Sequence, residues 1–481
     1  MLSDTLQQLQ ITSVRDCISI VAMFAIFLVF PLWFGAVHRT ASYTLLITIA
    51  IIVCYASRSI AHHALNDLKQ SMGIVGVCMP FILYLLLQPL LIEAPHTSII
   101  DLRAASIPYE IYSETLRSVG TWVCALILGI LAGHHLHRFR TVLVTTSALI
   151  ACIGLMQWLT DNGRLLWYFA PEHLFVTQRA RWPFVNSNNL AHALTIPLFI
   201  AWQQLAHSVS TLQYHAGGNL KKGLADFFSG RTFQQGITSI IWRGSLLIFI
   251  VLALLATLSR GAITACAVGA ILYFLLTLLL IPPVAAAAHQ HQVKKSSRLI
   301  AAALWGSFIS GIIALFAFGT GGELLAGRIG RGLQAEHQDL RLQLYRDTAP
   351  LISNDPVFGI GAGMWPLVYP SVRSEKLSGI NPEHLHSDPY QLVVETGIIG
   401  LLLFLAIALY TIKQLACLIR SDDIEVKRTA LSLCSGLTAL LLASLVDFPF
   451  KIPLIFAQLA FYCGIIAATA SQQHRSKSTH D

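Results

Sequence analysis

Runs of about 20 apolar residues recur along this chain, from Cys17 almost to its end, and each is long enough to cross a bilayer as a helix. Backbone inside hydrocarbon must satisfy its own N–H and C=O groups, so such runs leave only helix bundles or closed barrels. These runs are continuous and do not alternate with period two, which argues against a barrel. Charged residues make up only 12% of the 481 positions and apolar residues 55%. A soluble domain carries about 25% charged residues. The expected fold is therefore all-α, a polytopic integral membrane protein. The first run is followed by PLWFGAVHRT, which lacks a small-residue cleavage pattern, so it reads as a retained span and not a signal peptide.

Hydropathy gives about twelve spans, near 17–36, 41–57, 73–92, 118–135, 141–160, 189–206, 244–259, 262–282, 299–319, 397–417, 429–446 and 450–470. Lys and Arg in the short loops set the orientation. With the N-terminus inside, the inner loops hold Arg138, Arg140, Lys221, Lys222, Arg243, Lys294, Lys295, Lys413, Arg420, Lys427 and Arg428. Both termini are then expected on the cytoplasmic side of the membrane. The chain reads as a single membrane domain over 1–481, with long outer segments near 93–117, 161–188 and 320–396. The last is a large outer (periplasmic) loop, and loops of that length often carry function. All nine cysteines lie in or beside apolar runs and no CxxC occurs, so they read as small core residues rather than a disulfide framework.

The outer segments use arginine where the inner loops use mostly lysine, with Lys376 and Lys451 as outer exceptions. Guanidinium is planar, stays charged and grips phosphate through paired donors, so an arginine-rich outer face points to an anionic, phosphate-bearing ligand. The competing reading is that about half of these arginines pair with local acids such as Glu336, Asp339 and Asp347, as ordinary surface charges do.

The stretch HLHSDPYQLVVETGIIGLLLF, His384 to Phe404, sets ionisable groups at the mouth of a span. Asp388, Pro389 and Gln391 have the pattern of a helix start: Asp388 as N-cap, Pro389 at N1, and Gln391 reaching back in a capping box. The positive helix end then favours a neutral His386 able to accept a proton, a suitable place for a general base. Glu395 lies one turn beyond Gln391 near the membrane boundary. An ionisable group there marks a functional site unless it serves a neighbouring helix. His384 reads as loop surface. His384, His386 and Asp388 alternate as metal ligands sometimes do, but no further strong ligand accompanies them, so no metal is expected. GIGAG, Gly359–Gly363, reads as a tight turn after NDP and not as a nucleotide loop. Three more polar islands fall on the same outer face. RWPFVNSNNLAHAL carries Arg181, Asn186, Asn188 and Asn189. TLSRGAIT carries Ser259, Arg260 and Gly261. DLRLQLYRD carries Arg341 and Arg346. An arginine as close to hydrocarbon as Arg260 requires a partner or a ligand.

Together these elements resemble the O-antigen ligase and polymerase superfamily of bacterial envelope glycosyltransferases. The Phe-x-Asn-x-Asn element appears as FVNSNNLA and Ser-Arg-Gly as Ser259-Arg260-Gly261. The Arg-rich segment leading to Asp/Asn-Pro-x-x-Gly-x-Gly appears as RLQLYRD…NDPVFGIGAG. The His-Asn-x-x-x-Gln-x-x-x-Glu-x-Gly element appears as HSDPYQLVVETG. The resemblance covers most of the chain and is strongest from about 180 to 410. Ser387 replaces the usual Asn, Pro389-Tyr390 replaces a common Tyr-Leu, and Asn189 stands where many members have histidine; these departures bear on acceptor choice.

The resemblance implies a C-type glycosyltransferase-like fold. It implies transfer of a glycan from undecaprenyl diphosphate to an acceptor hydroxyl at the periplasmic face, without nucleotide sugar, metal or other cofactor. Its implied catalytic residues are His386, to orient or deprotonate the acceptor, and Arg260 and Arg341, to bind the diphosphate and stabilise the leaving charge. The implied substrate-binding set is Arg181, Asn186, Asn188, Arg346, Asp388, Gln391 and Glu395. Expected partners are the lipid-linked donor, a glycan or lipid-core acceptor and the bilayer, with no nucleic acid. Ligase activity is favoured by the single dominant outer loop before the histidine motif, and repeat-unit polymerase is the alternative. A transporter or flippase is the reading from another class. It fits the span number, but transporters place binding groups near the midplane, whereas these cluster at the outer rim.

Overall fold

The computed structural model describes residues 14–59, 61–92, 109–160, 164, 179–215, 231–281 and 336–478. All regular structure among the described residues is helical. The helices are α1 (Val14–Phe24), α2 (Arg39–Ser59), α3 (Ala61–Gln70), α4 (Met72–Leu91), α5 (Tyr109–Ala132), α6 (Leu136–Leu159) and α7 (Ser187–His215). They continue as α8 (Arg231–Ala256), α9 (Arg260–Leu280), α10 (Glu336–Asn354), α11 (Trp365–Val372), α12 (Asp388–Ile419), α13 (Ile424–Ser444) and α14 (Pro453–Ser478).

Eight helical stretches among the described residues are long and apolar enough to cross a membrane, and one of them, Glu110–Leu159, contains both α5 and α6. The chain is thus a multi-pass helical membrane protein. The expected first span coincides with a shorter apolar helical stretch, Asp16–Leu32. The expected span near 189–206 falls within α7, and that near 299–319 lies outside the described residues. The span in α14 is 83% buried whereas those of α4 and α9 are 22% buried, so α14 is an interior helix and the other two present most of their surface outward.

The chain divides into two compact units. Among the described residues, the first comprises 137–160, 164, 179–215, 231–281 and 419–440, and the second comprises 14–59, 61–92, 109–136, 336–418 and 441–478. In the first, α7 packs along α8 and also meets α9, with the Phe199 and Tyr273 rings 6.3 Å apart. In the second, α14 packs along α5, where Trp122 meets Phe456 at 6.4 Å. All nine cysteines are free; Cys78, Cys266 and Cys463 are buried as small core residues, whereas Cys17 and Cys54 are exposed.

The described part of the segment near 320–396 has a core of its own. Leu344 and Leu351 of α10 bury with Ile360, Met364, Trp365, Val368, Tyr369, Leu377, Leu385 and Val394. Trp365 stacks on Tyr369 at 4.9 Å and donates from its indole N–H to Thr348 Oγ1 at 3.3 Å. Asp347, a candidate partner for the arginines, instead accepts from the Ser374 backbone N–H at 3.0 Å, the Ser374 hydroxyl at 2.9 Å and Gln343 Nε2 at 2.7 Å. That carboxylate ties α10 to the segment after α11.

α12 is broken at Gly397, whose φ of 61° and ψ of −165° lie outside the helical region. The GIGAG turn fills the break. Ile360 N–H donates to Val394 O at 3.0 Å, Gly361 N–H to Glu395 O at 2.9 Å, and Ile398 N–H to Pro356 O at 2.9 Å. The two backbones touch: a Cβ at Gly397 would fall 2.2 Å from Val357 O, and one at Gly359 would fall 2.6 Å from the Glu395 carbonyl carbon. Glycine is required at both places by space and by positive φ. GIGAG is a turn, as its sequence indicates.

Candidate active site

The polar mouth lies in the second unit, where the start of α12 meets the connection between α13 and α14. His386 adopts φ +58°, a conformation that costs a non-glycine residue about 1–3 kcal/mol and persists where surrounding contacts enforce it. One such contact is the Tyr345 hydroxyl of α10, which donates to His386 O at 2.9 Å. Tyr390 in turn donates to Tyr345 O at 3.0 Å, and the two rings meet edge to face at 5.4 Å. The imidazole stands edge-on to Phe448 at 5.0 Å. Its Nδ1 is buried and lies 3.8 Å from Asp447 Oδ1, while a third of the side chain is exposed. That contact is longer than a hydrogen bond but places a carboxylate beside Nδ1. A proton held there leaves Nε2 as the basic nitrogen.

Asp447 is itself fixed by its neighbours. Its Oδ1 accepts the Phe448 N–H at 3.0 Å and its carbonyl accepts the Asp388 N–H at 3.2 Å. Arg341 Nη1 donates to Val446 O at 2.8 Å. The structure therefore brings Arg341, on the exposed face of α10, to the residue preceding Asp447. Guanidinium has five N–H donors in a fixed fork, so one bond to a carbonyl leaves it able to hold an anion. Arg346, also exposed on α10, has no ion pair among the described residues, and neither has Arg341.

The capping box expected at Asp388 does not form. Asp388 Oδ2 accepts the Phe450 N–H at 2.9 Å, and Oδ1 is buried without a partner. Gln391 reaches back past Asp388, its Oε1 accepting the Leu385 N–H at 3.1 Å. The helix start is thus held by contacts to the α13–α14 connection, and Asp388 serves that connection instead of its own helix. Gln391 Nε2 donates to Glu395 Oε1 at 2.8 Å, and Lys451 Nζ donates to Glu395 Oε2 at 2.6 Å. Glu395 is 3% exposed with both oxygens engaged, so its immediate role is to hold Gln391 and Lys451. His384 is not loop surface: its ring packs on Phe448 at 4.6 Å and its Nδ1 is buried without a partner. Burial first, and then the Lys451 ammonium nearby, push its pKa down to about 3.

A clamp from α4 supports the break just beyond Glu395. Gln88 is fully buried; its Nε2 donates to Phe358 O at 2.7 Å and Glu395 O at 2.8 Å, and its Oε1 accepts the Ala362 N–H at 3.0 Å. The Tyr84 hydroxyl lies 2.9 Å from Phe358 O and 2.7 Å from Thr396 O.

The remaining expected residues lie in the first unit. Asn186 caps α7, its Oδ1 accepting the Asn188 N–H at 2.9 Å. Arg179 joins two of the polar islands: its Nε donates to Thr257 O at 2.6 Å and its Nη2 to Asn188 Oδ1 at 2.7 Å. Ala180 N–H donates to Ala256 O at 2.9 Å. FVNSNNLA and the Ser-Arg-Gly turn are therefore neighbours. That turn contains Leu258 at φ +50° and an extended Ser259, and it delivers Arg260, exposed, to the first turn of α9. Arg181, two residues after Arg179, is buried at 5% exposure. A helix N-terminus carrying a cation favours an anion at that place.

Sequence reasoning missed Asp447, Tyr345 and Gln88, and noticed Arg179 and Lys451 only as outer cations. The available signal for Asp447 and Lys451 was DFPFK, an acid and a base in the short link between the last two spans. Residues 245–405 match the family model described as O-Antigen ligase. That stretch contains the Ser-Arg-Gly, RLQLYRD…GIGAG and HSDPYQLVVETG elements but not FVNSNNLA. No curated protein matches the chain.

Proposed function

The chain belongs to the O-antigen ligase and polymerase superfamily by its residues 245–405, and from that premise we propose that it moves a glycan from undecaprenyl diphosphate to an acceptor hydroxyl at the periplasmic face. The acceptor oxygen forms a bond to the anomeric carbon, the carbon–oxygen bond to diphosphate breaks, and the lipid diphosphate leaves with that electron pair. The acceptor's proton passes to His386 Nε2. Asp447 steadies the resulting imidazolium and holds the tautomer. Arg341 holds a phosphate group and offsets its charge as it leaves. Arg260 keeps the phosphate-binding role that its motif position implies. Gln391, Glu395 and Lys451 hold the helix start rigid.

The observation that carries this reading is the placement of His386 Nδ1 3.8 Å from Asp447 while Arg341 is anchored at Val446. Base and phosphate-binding cation then stand at adjacent positions of one connection. Ligase activity is the reading taken, with repeat-unit polymerisation as the alternative, and product size separates them. A ligase attaches a preformed glycan once; a polymerase gives a ladder. The test of the site uses Arg260→Ala, Arg341→Ala and His386→Ala in cells lacking the wild-type gene. Each should abolish glycan transfer with membrane insertion unchanged. Full activity in all three would remove the site assignment.

A further inference from the structure

A second polar cluster lies in the first unit, built from four helices. Arg140 of α6 donates from Nη1 to Glu425 Oε2 at 2.7 Å and to Thr429 Oγ1 at 3.0 Å, both on α13. Glu425 Oε1 lies 2.9 Å from His207 Nδ1 of α7 and 3.5 Å from Arg428 Nη1. Arg428 Nη1 also lies 3.0 Å from His207 Nδ1. Arg243 of α8 donates to Gln204 O at 3.0 Å and to Ser208 Oγ at 2.7 Å, and meets no carboxylate within salt-bridge distance among the described residues. Arg140 and Arg428 therefore reach one carboxylate, while Arg243 is held at Gln204 and Ser208 of α7 without one. Arg140 is 6% exposed, and its Nε is buried without a hydrogen-bond partner.

Uncompensated charge at a membrane boundary is costly and is retained where a partner supplies the opposite sign. The surface beside Arg243 is apolar and outward-facing, with Ile241 62% and Trp242 38% exposed, as at a lipid interface. The distribution of lysine and arginine assigns this end of the helices to the cytoplasmic leaflet, whose phospholipids include anionic ones. Phosphate offers several acceptor oxygens matched to the guanidinium fork, and basic pockets between membrane helices hold such headgroups. We propose that Arg140, Arg243 and Arg428, with His207 and Ser208, form a binding site for the phosphate of an anionic lipid headgroup, which completes the charge balance that Glu425 alone leaves unmet. The site is separate from the glycan-transfer chemistry and stands or falls independently of it.

The test uses the purified full-length chain in nanodiscs of phosphatidylcholine alone, of phosphatidylcholine with phosphatidylglycerol, and of phosphatidylcholine with inorganic phosphate added. Melting temperature and lipids retained in native mass spectrometry are the readouts. Phosphatidylglycerol should raise the melting temperature of the wild type and be retained. Retention should fall about fivefold for Arg243→Gln and about fivefold for Arg428→Gln, the effect of one arginine near a charged membrane surface. Arg243→Lys, which keeps the charge, should recover most of the binding. Melting in phosphatidylcholine alone reports whether each variant folds, and Arg428→Gln serves if Arg243→Gln does not. Equal phosphatidylglycerol retention by wild type and variants would overturn the proposal, as would stabilisation by inorganic phosphate equal to that by the lipid.

Discussion

At the level of single residues, transfer depends on His386 and the groups that hold it. His386→Ala should lower the transfer rate by about 10²–10⁴-fold, the usual contribution of a positioned base. Asp447→Asn keeps the shape but removes the charge beside Nδ1, so it should cause a smaller loss and change the pH dependence of transfer. Tyr345→Phe removes the hydrogen bond to the His386 carbonyl and should lower activity without lowering the amount of protein in the membrane. His386, Arg341 and Gln391 were singled out because their motifs lie within local stretches of chain. Asp447, Lys451 and Tyr345 were not, because their relation to the histidine exists only after folding. Asp388 shows why local rules fail here. An aspartate before a proline has the pattern of a cap, yet its carboxylate bonds an N–H 62 residues further on, and no periodicity reports such a partner.

At the scale of elements, the break in α12 sets the geometry of the mouth. Gly397→Ala should prevent correct folding of the segment, since the added methyl meets the Val357 carbonyl and the backbone there requires glycine. The measurement is protease resistance of the segment that holds α10 and α11, together with activity. Gln88→Leu would strand the Phe358 and Glu395 carbonyls and the Ala362 N–H, at about 1–3 kcal/mol for each buried group left unmet; a lowered melting temperature checks it. His384 makes the same region sensitive to acid. Unfolded, its imidazole takes a proton near 6.5; folded, it stays neutral to about 3. The unfolded chain binds more protons across that window, so stability falls as pH drops from about 6.5 to about 3. His384→Gln should lessen that fall in a pH series of melting temperatures. Apolar runs revealed where helices lie, and GIGAG revealed a turn. That the turn fits into a helix break clamped by Gln88 follows from long-range packing that no local pattern encodes.

At the scale of the whole molecule, the multi-pass helical class was legible because hydrocarbon leaves so few backbone solutions. The two runs that hydropathy places at 118–135 and 141–160 correspond to α5 and α6, two helices within one long apolar stretch, joined by a turn at Gly133–His135. The transport alternative is separated from transfer by what the molecule releases. The direct measurement supplies the purified full-length chain in nanodiscs with lipid-linked glycan, acceptor and EDTA, and quantifies free undecaprenyl diphosphate for wild type and His386→Ala. The account predicts release by the wild type, with the glycan on a new acceptor, and at least about a 100-fold drop in the variant. Equal release by both proteins, or none by the wild type with competent donor and acceptor, would contradict it.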